Sequence, residues 1–109
     1  MSKHEFGIMI NPPEAGKRYD EYEPEKYNCI SVDDRMILPI VTKLSIMKTY
    51  WISLNNAEYG LNYYGVTLIP PESSSTFAEL ISGIRSFSRL TELLLAASQN
   101  DKFVIHYGI

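Results

Sequence analysis

The stretch Tyr63-Tyr64-Gly65-Val66-Thr67-Leu68-Ile69-Pro70-Pro71-Glu72-Ser73-Ser74-Ser75-Thr76-Phe77-Ala78-Glu79-Leu80-Ile81 constrains this chain's fold more than any other part. It opens as a β-rich, nearly all-apolar run, and a run that apolar predicts a strand covered on both faces. Two prolines stop it, because neither can donate to a sheet ladder. Polar residues able to cap a helix follow, and then Phe77, Leu80, Ile81 and Ile84 recur at i, i+3, i+4, i+7. A buried strand that turns sharply into an amphipathic helix sits at the centre of a small α/β or α+β domain.

The flanking segments supply the partners. Residues 6–10 alternate weakly and predict a first strand at a sheet edge, ended by Asn11-Pro12-Pro13. Residues 27–32 predict a second strand, with Cys29, Ile30 and Val32 inward and Asp33-Asp34 turning out of it. Ile37, Val41, Leu44, Met47 and Trp51 recur at helical spacing, and Pro39 suits a first turn, so a helix is expected over 39–52. Residues 55–60 read as a loop. After the double proline a helix is expected over 74–85. A break at 86–88 and a further helix over 88–99 follow, carrying Leu90, Leu93, Leu94 and Ala97; one continuous helix is the alternative. A last strand runs over 102–107. This order predicts a single α+β domain over 1–109, with a mixed or antiparallel sheet of about four strands and helices packed on it.

With 109 residues, 45% of them hydrophobic and 21% charged, the chain has the size and composition of one soluble globular domain. One cysteine excludes an internal disulfide and fits a reducing compartment. No apolar run approaches the roughly 20 residues of a membrane span, and residues 1–5 carry no signal-peptide core, so a cytoplasmic location is expected. A net charge of −3 argues against general nucleic-acid binding, which calls for a clustered basic face.

The candidate chemistry is sparse. Cys29 is a potential nucleophile with His4 or His106 as its base, but it has no glycine-rich elbow beside it and reads as a small core residue. His4 and His106 fall in the first and last strands, where they can meet. With Asp33 or Asp34 they could hold a metal, yet no ligand spacing supports one, and hydrogen-bonded strand histidines account for them. Asp33 and Asp34 fit a turn and helix cap. No glycine-rich phosphate cradle is present, and no catalytic residue, metal or cofactor is expected. The most suggestive segment lies in the long loop after the first strand, where Tyr19, Asp20, Glu21, Tyr22, Glu23 and Glu25 concentrate four carboxylates and two tyrosines. Steering charge beside rigid aromatic anchors suits contact with a basic protein surface.

Three stretches, Tyr27-Asn28-Cys29-Ile30-Ser31-Val32-Asp33-Asp34, Tyr64-Gly65-Val66-Thr67-Leu68-Ile69-Pro70-Pro71-Glu72-Ser73 and Phe103-Val104-Ile105-His106-Tyr107-Gly108-Ile109, together resemble the small cytoplasmic immunity proteins that bacteria encode beside secreted toxins. The resemblance implies a non-enzymatic inhibitor that binds one cognate toxin, often a nuclease with a basic cleft, and it assigns no functional residue. The competing expectations are a small enzyme using Cys29 or a His/Asp cluster, and a scaffold subunit that associates through its tyrosines.

Overall fold

The computed structural model describes residues 2–109. Six strands form one sheet in the order β2-β1-β6-β5-β3-β4, and every neighbouring pair is antiparallel. They are β1 (Lys3–Ile8), β2 (Ile30–Asp33), β3 (Lys48–Trp51), β4 (Ala57–Tyr59), β5 (Val66–Ile69) and β6 (Val104–Tyr107). Three helices, α1 (Asp34–Ile37), α2 (Pro71–Leu80) and α3 (Ser88–Gln99), complete an α+β domain. Among the described residues no helix is long and apolar enough to cross a membrane.

Strand alternation sends successive side chains to opposite faces. On one face Phe6, Ile69 and Val104 pack against Phe77, Leu90 and Leu94 of the paired helices α2 and α3 and against Ile81 just past α2. On the other, Val66, Leu68, Ile105 and Tyr107 are covered by residues 9–29, which contribute Met9, Tyr19, Tyr27 and Cys29. That segment crosses the sheet as a cover. Its close seating needs Gly7, where a Cβ would lie 2.6 Å from the Tyr27 carbonyl oxygen and 2.8 Å from the Cys29 sulfur.

The expected architecture holds, with six strands where about four were expected. The first strand is interior, between β2 and β6, and the short strands β2 and β4 form the edges. The helix expected over 39–52 does not form. Two short 3₁₀ turns (Leu38–Ile40 and Lys43–Ile46) lead into β3 instead. Pro39 withholds an N–H, Ile40, Val41 and Thr42 are β-branched, and Thr49-Tyr50-Trp51 finds a ladder in β4 and β5. β4 lies inside the expected loop over 55–60.

Helix α2 begins earlier than expected, with Pro71 in its first turn and Pro70 as its cap, and it ends at Leu80. Ile84 therefore falls outside the helix and is 41% exposed. Val66, Leu68 and Ile105 lie on the cover side. Helix α3 spans Ser88–Gln99 as expected, and a 3₁₀ turn over Arg85–Phe87 separates it from α2.

Candidate functional site

The helix-side face is not apolar throughout. Beyond Phe6 and Val104 it continues as His4, Thr67 and His106, all fully buried. The register pairs His106 with Phe6 on one side and Thr67 on the other, which leaves His4 diagonal to His106. The ring centroids lie 5.2 Å apart and His4 Nδ1 stands 2.9 Å from His106 Nε2. His4 Nε2 is 2.8 Å from Asp34 Oδ1, and the Tyr63 hydroxyl donates to the same oxygen. At the other end His106 Nδ1 is 3.0 Å from Thr67 Oγ1, which accepts the Asn62 backbone N–H at 2.8 Å.

One assignment of protons satisfies every group in this chain, as buried polar groups require. Asp34, held below the usual carboxylate range by the Tyr63 and His4 hydrogen bonds, only accepts, so His4 Nε2 carries a proton. His4 Nδ1 is then bare and accepts from His106 Nε2–H. His106 Nδ1 is bare in turn and accepts from the Thr67 hydroxyl. Both imidazoles are neutral. Burial, and then the neighbouring His4, push His106 well below the ordinary histidine range. The Asp34 carboxylate raises the Tyr63 hydroxyl to about 12.

All four ring nitrogens are thereby occupied within the protein, which is the role of hydrogen-bonded strand histidines. Among the described residues no group of three or more His, Cys, Asp or Glu side chains is placed to hold a metal. Asp33 caps α1 by accepting the Arg35 N–H at 2.8 Å, and the Arg35 side chain holds its carboxyl below the usual range. Cys29 packs on the cover side, across the sheet from both histidines, so neither can serve as its base. Burial, with the Glu5 charge adding to it, raises the thiol to about 12. A thiol held so far from its thiolate is a poor nucleophile.

The acidic segment divides. Tyr19 is not an exposed anchor: it is 8% exposed, its ring is in the cover-side core, and its hydroxyl accepts the Glu14 N–H at 2.9 Å. Tyr22 is 61% exposed, stacks edge-on against Tyr107 with centroids 5.2 Å apart, and donates its hydroxyl hydrogen to the buried Glu5 carboxylate. That bond raises the Tyr22 hydroxyl to about 12. Asp20 pairs with Arg18 at 3.1 Å and Glu23 with Lys26 at 4.0 Å. Glu21 and Glu25 are exposed and form no ion pair among the described residues. Beside Tyr22 lies an open cleft of about 430 Å³ lined by Lys3, Glu5, Pro24, Glu25, Asn28 and Cys29.

Sequence reasoning placed His4 and His106 in strands that could meet but missed Tyr63, Thr67 and Glu5 as members of polar networks. Their only local signal is a polar residue at an inward position of an otherwise apolar strand, or a tyrosine beside a turn. No family model matches the sequence, and comparison with curated proteins and with solved structures found no match.

Proposed function

We propose that this chain is a non-enzymatic binding protein of the immunity type, which inhibits a cognate toxin by setting its acidic cover segment against a basic surface. The observation that carries this reading is the placing of exposed Tyr22 beside Glu21 and Glu25, carboxylates without an ion pair among the described residues, on a segment already fixed in place. Backbone bonds from Met9 N–H to Phe103 O (2.9 Å) and Tyr19 N–H to Ile52 O (2.7 Å) fasten it to the residues flanking β6 and β3. Lys102 Nζ adds a 2.7 Å bond to Ile10 O. A segment ordered before it meets a partner loses little further entropy on binding.

The test is a kinetic titration across ionic strength against a basic toxin domain offered as the cognate partner. Reversing Glu21 and Glu25 slows association and flattens its salt dependence, because these charges steer encounter. Tyr22→Ala raises dissociation, costing about 2 kcal/mol or more if it is a central anchor. Tyr19→Ala is unsuitable as a probe, since it empties part of the core. Unchanged rates in all three substitutions at Glu21, Glu25 and Tyr22 would move the interface elsewhere.

A further inference from the structure

The buried polar chain begins and ends on adjacent residues. One end is the Asn62 N–H on Thr67 and the other is the Tyr63 hydroxyl on Asp34, so Asn62–Thr67–His106–His4–Asp34–Tyr63 is a ring closed by a peptide bond. It grips the loop of residues 61–65 at two neighbouring points. We propose that the His4–His106 contact is an acid-operated latch, which holds this loop shut at neutral pH and releases it in mild acid.

The proton inventory gives the mechanism. With both imidazoles neutral, every donor meets an acceptor. One added proton occupies His106 Nδ1, or reaches His4 by a transfer along the 2.9 Å contact, and in either case the Thr67 hydroxyl hydrogen loses its acceptor. A positive charge then sits where both rings are fully buried. A second proton sets an N–H against an N–H across the same contact, which cannot persist. Opening hydrates the His106 ring and lets it take its proton, so the open loop binds about one proton more than the closed one.

The groups facing the pair are few. Asp34 comes from α1, Tyr63 from the loop, Thr67 from β5 and Phe6 from β1, and Asp33 is engaged by Arg35. Asp34 alone supplies a compensating charge. It is already shared with Tyr63, and it reaches His4 and not His106. Burial keeps His106 neutral well below the usual histidine range, so acid opens the ring rather than charging it in place. The loop is also tied to the C-terminus by Ile109 N–H to Tyr63 O at 3.0 Å and Gly108 N–H to Gly65 O at 2.8 Å. Opening is therefore a hinged movement of a segment that carries Tyr64, already 79% exposed.

Amide hydrogen exchange, corrected for intrinsic rates, tests the latch on the whole chain between about pH 7.5 and pH 5. Protection of the Asn62 and Gly65 amides, which donate to Thr67 Oγ1 and Asn62 O, is expected to fall at least about tenfold relative to β5 and β6, reversibly, with a slope of about one proton. Trp51, whose indole N–H donates to Gly60 O at 3.1 Å just ahead of the loop, reports the same step by fluorescence. In His106→Gln the slope shrinks by about one proton. Should that variant not fold, Tyr63→Phe serves instead: it opens the loop more at every pH and keeps the slope, since both histidines remain. Protection of the Asn62 and Gly65 amides that does not change with pH overturns the latch. So does loss of the loop in step with the core strands, an undiminished slope in a folded His106→Gln, or a lost slope in Tyr63→Phe.

Discussion

The helix-side face of the sheet is held by two kinds of force along its length. Under α2 and α3, Phe6, Ile69 and Val104 meet Phe77, Ile81, Leu90 and Leu94 through non-directional contact among close-packed side chains. At the other end His4, Thr67 and His106 are as deeply buried, but direction governs them, and each ring nitrogen has one partner. The apolar region accommodates a change of shape in proportion to the volume altered. The polar region has no such latitude, because removing one member strands the next in the chain.

Substitutions can break this contrast, beginning with the apolar end. Leu94→Ala, at a fully buried position between the helices and the sheet, is expected to lose about 2–5 kcal/mol in denaturant unfolding. Leu94→Met nearly conserves volume and is expected to lose less than about 1.5 kcal/mol. Thr67→Val is similar in shape but leaves the Asn62 N–H and His106 Nδ1 without partners. Its expected loss is about 1–3 kcal/mol for each group so left, so the shape-conserving change is tolerated at one end and not at the other. If Thr67→Val were as mild as Leu94→Met, the polar end would not depend on direction.

Acid separates the two regions without mutation. His106 has a depressed folded value, so its contribution is present above the unfolded histidine range, near about 6.5, and declines as pH falls below it. Asp34 is lowered as well, and its contribution declines only further down, below the unfolded carboxylate range near about 3.9. Stability measured from about pH 8 downward is expected to fall first in the histidine window, and Leu94→Ala should shift that curve without changing its form. The smallest effect belongs to Ile84→Ala. At this 41% exposed position just past α2 the change is expected to stay within about 0.5 kcal/mol, although Ile84 completes the helical spacing begun by Phe77.

Ile84 also shows where local pattern stops being informative. Periodicity found α3 and the Phe77 face because those helices bury a stripe against the sheet, but it could not detect the end of α2 at Leu80, ahead of Gly83, which sits at φ +83°. The spacing of Ile37, Leu44 and Met47 is real, and all three are buried, yet irregular turns deliver them rather than a helix. What settles that segment is pairing of β3 with strands on either side, which is non-local. Asp33 was legible as a cap because a cap is a local bond. The polar ring was not, since His4 and His106 are 102 residues apart in sequence and their meeting depends on β1 pairing with β6. Among the acidic residues, the pattern could not tell inward Tyr19 from outward Tyr22, because neither lies in a regular element.

Two neutral histidines share one proton direction through the buried end of the sheet. Nitrogen-15 NMR of the imidazole rings near pH 7.5 reads this directly. Both rings are expected as neutral Nε2–H tautomers, with His4 and His106 each showing a bare Nδ1 and with coupling across the His106 Nε2–H to His4 Nδ1 bond. Two protonated nitrogens on either ring at that pH, or a proton on His106 Nδ1, would contradict it.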